Sequence, residues 1–208
     1  MIDVSHQINA VRRQVGTRQL DAGQGHTVTL SQVYATDVDD LWDACTNPER
    51  IPRWFLPVHG DLRLGGRFQL EGNAGGTIEA CEPPHHFSAT WEFGDSVSWI
   101  DVRLSPEPGG GTRFELQHTA GDDDHWQQFG PGAVGVGWDL ALMGLSLHIT
   151  RGEAVDPAEV MAWTTSPDGV AFVERSAARW GEADAVAGTD AAVAAAAAER
   201  TCAAYTAV

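Results

Sequence analysis

Lysine is absent from this chain: all 13 basic residues are arginine, set against 29 Asp and Glu, for a formal net charge of −16 at pH 7. A surface of that sign repels nucleic-acid phosphates and anionic lipid headgroups, so neither nucleic acid nor membrane is expected as a partner. Cysteine is scarce. Cys45, Cys81 and Cys202 are odd in number and widely spaced, with no CxxC pair. That argues against a disulfide framework or a zinc site and fits a reducing cytoplasm. No apolar run approaches the roughly 20 residues of a membrane span. The N-terminal stretch MIDVSHQINAVRRQVG lacks the continuous apolar segment of a secretory signal. The expected location is cytoplasmic. The all-arginine usage, with the high Ala and Gly content, reads as the coding bias of a GC-rich genome rather than as function.

What is present is enough for a core. The 208 residues suit one domain with additions or two very small ones, and 43% are apolar, the usual globular share. Ile8, Val11 and Val15 fall at helical spacing and predict a short N-terminal helix, capped by Asp3 or Ser5, followed by a polar linker over 21–25. The β-branched run HTVTLSQVY over 26–34 predicts a strand. Thr36 or Asp37 caps a helix that carries Leu41 and Trp42. Asn47-Pro48 opens a second short helix, with Ile51, Trp54 and Phe55 on one face.

A meander follows. Segments 58–64, 66–71, 76–82, 87–93, 97–105 and 111–119 have strand-like content and are separated by Gly-Gly, Pro-Pro, Gly-Asp and PEPGGG turns. Period two assigns their faces. Phe68 and Leu70 oppose Arg67 and Gln69; Phe87, Ala89, Trp91 and Phe93 oppose Ser88, Thr90 and Glu92; Phe114, Leu116 and His118 oppose Arg113, Glu115 and Gln117. In SWIDVRLS, Ile100, Val102 and Leu104 fit the core face, which turns Trp99 outward.

Asp122 to Asp124 read as an acidic loop. A long helix then spans 129–150 from near Pro131, with an apolar stripe of Val134, Trp138, Leu142, Leu145 and Ile149. Gly135, Gly137 and Gly144 each weaken it by about 1 kcal/mol relative to Ala, so tertiary packing must compensate. Beyond residue 151, Asp156-Pro157 and Ser166-Pro167 are cap-plus-first-position pairs, Val170, Val173, Ala177 and Trp180 mark an amphipathic helix, and Asp190 opens an Ala-rich helix.

The order of strand, two short helices, six antiparallel strands and a long helix is that of the helix-grip fold. The segments VYATDVDDLWDACTNPERIPRWFLP, GGRFQLE, GGTIEACEPPHHFSATWEF, GGTRFELQHTA and GVGWDLALMGLSLHI resemble the SRPBCC (START-like) superfamily, and within it the homologues of the heat-shock-protein-90 ATPase activator, over about residues 27–150. The resemblance implies an α+β domain in which a curved antiparallel sheet wraps a long C-terminal helix around one hydrophobic cavity. With the helix and linker read before it and the helices read after it, the expected organisation is 1–25 N-terminal helix and linker, 26–150 helix-grip domain, and 151–208 helical extension packed on the domain. It places Trp54 and Phe55 near the cavity mouth, and Phe68, Leu70, Trp91, Ile100, Phe114, Leu116 and His118 on the inward sheet face. Trp138, Leu142 and Leu145 fall on the inner face of the helix. The superfamily has no fixed catalytic motif, so no catalytic residue and no cofactor are assigned.

Other chemistry is thinly supported. His85-His86 read as turn histidines rather than metal ligands, and no metal is expected. The DDDH run, Asp122 to His125, lacks the alternating ligands of a calcium loop. GPGAVGVG lacks the Lys-Ser/Thr ending of a phosphate loop. No Ser, His and Asp occur in nucleophile-elbow context, and Cys81 has no activating base. His118 is open to two readings, a rim histidine satisfied by hydrogen bonds or a polar group facing a ligand.

Binding of a small hydrophobic or aromatic molecule in the cavity therefore ranks first, ahead of an enzyme. A protein-interaction or chaperone-accessory role is the alternative, which the acidic surface and the outward Trp99 allow. A cyclase- or hydrolase-like enzyme with His118 as its inward polar group comes third. The helices of the tail must bury Val170, Val173 and Trp180, on Trp99 or over the cavity mouth, and any apolar face they leave over would favour a homodimer.

Overall fold

In the computed structural model, residues 3–21, 23–152, 154 and 157–207 are described. They group into two compact units, one made of Ser31–Ala120 with Ala141–Ala154, the other of Met1–Leu30, Gly121–Leu140 and Val155–Val208. Strand β1 (Arg12–Leu20) and helix α1 (Val4–Ala10) belong to the second. Strand β2 (Gly23–Tyr34) and the long helix α4 (Gly132–Arg151) contribute residues to both.

The first unit is the antiparallel meander. After β2 come α2 (Val38–Thr46), β3 (Val58–Gly60), β4 (Arg67–Leu70), β5 (Gly75–Glu82), β6 (His86–Phe93), β7 (Ser96–Pro106) and β8 (Thr112–Gly121). The strands lie in the order β2-β8-β7-β6-β5-β4-β3. Neighbours from β3 to β8 pair antiparallel, with one register shift between Ile78 and Ala80. Alternation sets the faces as expected. Phe68 and Leu70 are buried between exposed Arg67 and Gln69, and Ile100, Val102 and Leu104 are buried while Arg103 and Ser105 are exposed. Phe93 departs from the expected pattern. It pairs with Ser96 beside the β6–β7 turn, at the end of its strand, and is 62% exposed.

Two other expectations change, and one left open is decided. The strand expected over 58–64 ends at Gly60, whose φ of 106° turns the chain so tightly that a Cβ there would strike the Arg67 carbonyl. The second short helix contracts to one 3-10 turn, Ile51–Arg53. Pro52 has no N–H to give to the carbonyl four residues back, and the Trp54 amide bonds Ile51 instead. Asp37, not Thr36, caps α2 by accepting from the Asp40 amide at 2.8 Å, while the Thr36 hydroxyl bonds the Asp40 carboxylate.

In the second unit, the N-terminal helix is shorter than its apolar spacing predicts. It stops at Ala10, and Val15 lies in β1, which hydrogen-bonds to β2. Three apolar residues at helical spacing are outweighed by β-branched Val15 and Thr17 and by a strand partner for the backbone. The expected linker over 21–25 is largely taken up by the start of β2, with Gly23 at φ 130°. The acidic loop expected at Asp122 to Asp124 leads straight into a short helix, α3 (Asp124–Phe129), capped by Asp123. After it come the N-terminal half of α4, then α5 (Pro157–Thr164), α6 (Pro167–Ala187) and α7 (Ala191–Thr206). Ser166 caps α6 and Asp190 caps α7 as expected; the Asp156 cap lies outside the described residues.

The core of the second unit centres on α6. Phe172, Val173, Ser176, Ala177 and Trp180 are all buried. Trp180 is fully buried within its own unit. Its indole lies on Gly135 of α4, and its Nε1–H donates to Asp139 at 3.1 Å. Asp139, wholly buried, also accepts a two-pronged contact from Arg13 at 2.9 and 3.0 Å and a bond from the Ser176 hydroxyl. Burial pushes the Asp139 carboxyl up, and Arg13, Ser176 and Trp180 oppose it. Four donors on its two oxygens are the pattern of an ionised carboxylate. The Ala run of α7 is a packing surface. Ala194 and Ala197 are buried, and a Cβ on Gly181 of α6 would come within 3.1 Å of Ala198. Helix α4 is the one described helix long and apolar enough to cross a bilayer. Half of that span is buried, and the Asp139–Arg13 ion pair interrupts it.

Candidate functional site

The first unit holds the candidate site, on the inward face of β4 and β6 to β8. The cross-strand register brings its central residues together. Trp91 stands opposite Ser98, Ala89 opposite Ile100, and Ile100 opposite His118. Ser98 Oγ lies 2.9 Å from His118 Nε2 and 3.0 Å from the Trp91 carbonyl oxygen. The Trp91 ring meets His118 edge-on at 6.3 Å and Phe68 at 6.2 Å. The result is a polar pair, buried at His118 and half-buried at Ser98, beside an aromatic wall.

The electrostatics of that pair follow from burial. His118 is 4% exposed, and desolvation lowers its imidazole to about 4, so it is neutral at physiological pH. Ser98 has a single proton, with the Trp91 carbonyl and His118 Nε2 both within its reach. Which of Ser98 and His118 Nε2 donates to the other is set by the imidazole tautomer. The inward positions of β6 to β8 are Phe87, Ala89, Trp91, Ser98, Ile100, Val102, Leu104, Phe114, Leu116 and His118, with no Asp, Glu or Arg among them.

The remaining expected site residues are placed as follows. Phe68, Leu70, Ile100, Phe114 and Leu116 are buried, as are Leu142 and Leu145 on the C-terminal half of α4. Phe114 packs edge-on against Tyr34 at 6.3 Å, and the Tyr34 hydroxyl donates to the Leu142 carbonyl at 3.2 Å. Trp54 and Phe55 are half-buried and stack on each other at 5.4 Å, and Trp54 Nε1–H donates to the Ala44 carbonyl of α2. A Cβ on Gly144 of α4 would strike the Trp54 carbonyl, so this glycine permits their close approach. Trp138 is buried too, but it falls in Gly121–Leu140 and belongs to the second unit.

Other candidates resolve into structure. His86 Nε2 lies 2.9 Å from an Asp101 oxygen and His85 reaches the Leu104 carbonyl. Among the described residues no cluster of His, Cys, Asp or Glu could hold a metal. Burial pushes the Cys45 thiol up to about 12, which disqualifies it as a nucleophile.

Sequence reasoning missed two features. Ser98 was legible, since it stands two residues before Ile100 and so shares its face. The Arg50 node was not. Arg50 binds Asp40 and Asp43 at 2.7 and 3.0 Å and approaches His148 of α4 at 3.3 Å, across 98 residues of chain. Burial pushes the Asp40 carboxyl up, but the Thr36 hydroxyl and the Arg50 guanidinium outweigh it and hold it below its usual value.

An antiparallel meander ending in a long helix, with an apolar inward face, defines an α+β protein of the helix-grip class. The chain matches the family described as Activator of Hsp90 ATPase homolog 1-like protein over residues 35–149, just over half its length, and it belongs to that family. CalU16 from Micromonospora echinospora is similar along most of both chains. Its crystal structure is 36% identical with a TM-score of 0.65, covering 84% of this chain and 98% of CalU16. Its solution structure gives 34% identity and a TM-score of 0.71, covering 86% and 97%. DynU16, a protein of the dynemicin biosynthetic locus, shares the fold alone, at 16% identity and a TM-score of 0.54, covering 62% of this chain and 48% of DynU16. No curated protein matches the sequence.

Proposed function

We propose that the protein binds a small hydrophobic or aromatic molecule against the inward face of its sheet unit. The observation that carries this reading is the Ser98–His118 pair, a hydrogen-bonded polar couple set among Trp91, Phe68 and Ile100. Ligand sites of soluble proteins combine a mostly apolar, aromatic lining with a few placed polar groups. A core made only for stability is better served by apolar side chains, because each buried polar group must recover its desolvation cost in hydrogen bonds. Membership of a helix-grip family supports the same reading. Catalysis is disfavoured. With its imidazole lowered to about 4, His118 is a weak base, and the inward positions of β6 to β8 include no carboxylate to orient it. The three free cysteines support a reducing, cytoplasmic setting.

The test is denaturing extraction of the purified protein with mass spectrometry of the released small molecules. An aromatic or apolar compound at close to one per chain, lost in Trp91→Ala, is the expected result. An empty extract, together with no saturable binding of naphthalene-sized probes, refutes the reading.

A further inference from the structure

Accepting that the inward face is a ligand site, the polar pair says which ligands it takes. We propose that the site selects an uncharged aromatic molecule bearing a hydroxyl or N–H donor, and that the Ser98 hydroxyl oxygen receives that donor.

The argument is one of hydrogen-bond valence. A serine hydroxyl has one proton and two lone pairs. The Trp91 carbonyl and His118 Nε2 both lie within hydrogen-bond distance of Ser98 Oγ, and its proton goes to one of them. The oxygen is thereby left as an acceptor toward a ligand, with a lone pair suited to an incoming O–H or N–H. Its position sets the geometry. Ser98 is the cross-strand partner of Trp91, so an aromatic ligand held against this part of the sheet has the serine oxygen within reach of its substituent.

Charge sets the second half of the selectivity. The inward face of β6 to β8 has no arginine and no carboxylate, and its histidine is neutral. An ionised carboxylate placed there would lose its hydration with no counter-charge, unless it forced a proton onto His118 against the desolvation that keeps that proton off. An ammonium group would be equally unpaired. A phenol-like ligand meets neither penalty.

Four probes of one ring system separate the possibilities: naphthalene, 2-methoxynaphthalene, 2-naphthol and 2-naphthoate, titrated into the full-length protein at pH 7 by calorimetry or tryptophan fluorescence. The expected order places 2-naphthol about tenfold tighter than 2-methoxynaphthalene, the difference of one hydrogen bond, with 2-naphthoate the weakest. In Ser98→Ala the naphthol advantage disappears while naphthalene affinity is retained. His118→Gln, which can keep a hydrogen bond to Ser98, retains it. Equal affinity for the naphthol and its methyl ether, or 2-naphthoate binding as tightly as 2-naphthol, overturns the selectivity while leaving the ligand site standing. Failure of all four probes to bind overturns the site and the selectivity together.

Discussion

Gly135 and Trp180 occupy one another's space. A Cβ built on Gly135 would fall inside the Trp180 indole, among Cε2, Nε1 and Cδ2. The glycine is therefore the condition for burying the largest side chain of α6, which is 0% exposed. Gly135→Ala gains about 1 kcal/mol of helix propensity but forces apart a rigid ring and a helix backbone, an overpacking cost of about 1–3 kcal/mol or more. The expected result is a net loss of stability, read as a Tm lowered by several degrees. Gly135→Ala combined with Trp180→Leu should lose less than the sum of the two single changes, because they share the contact. Additive losses would show that the contact is not the cause.

Asp139→Asn tests the buried ion pair of the same unit. Arg13, 5% exposed at its side chain, would keep its charge with no carboxylate to face. Breaking a buried pair in this way costs about 3–5 kcal/mol, a large part of the 5–15 kcal/mol that separates folded from unfolded states in typical domains. Urea denaturation should show that loss, and a chain carrying both Asp139→Asn and Arg13→Gln should recover part of it. An Asp139→Asn protein as stable as the parent contradicts an ionised pair.

The His118 imidazole makes stability depend on pH in a defined window. The unfolded chain takes up a proton near the ordinary 6.5, whereas the folded chain resists until about 4. Between those values the unfolded state holds more protons, so stability is intact above about 6.5 and is lost as pH falls toward 4, by about 3 kcal/mol over the window. Carboxylates add their own slope at the acid end. The difference between the parent and His118→Gln isolates the histidine, and parallel stability curves for the two proteins would contradict its burial in neutral form.

Cys45 gives a chemical check on the first unit. With its thiol raised to about 12 it holds almost no thiolate at pH 8, so iodoacetamide should leave it unmodified in the folded protein and alkylate it once guanidinium is added. Peptide mapping reads this directly, and rapid labelling of Cys45 in the native state would mean that α2 opens readily.

Much of this architecture is written locally. The meander was legible because each strand alternates and each turn has its own Gly or Pro chemistry, as in Arg67–Leu70 and His86–Phe93. The caps at Asp37, Ser166 and Asp190 were legible for the same reason. What was hidden depends on partners distant in sequence. Val15 reads as the end of a helix until β2 offers its strand hydrogen bonds, and nothing near Trp180 names Gly135 or Asp139 as its neighbours, 45 and 41 residues away. In the candidate site the aromatic positions followed from period two, and Ser98 was available to the same rule. The state of His118 was not, because it is set by desolvation and by the bond it makes with Ser98.

The most direct test of the central claim is an NMR titration of protein labelled at the indole nitrogens of its eight tryptophans, with 2-naphthol as the probe. The account predicts a saturable shift of the Trp91 resonance that Ser98→Ala weakens, with Trp126, Trp163 and Trp180 unmoved. Shifts confined to the outward Trp99, or to the tryptophans of the second unit, would place binding elsewhere and contradict it.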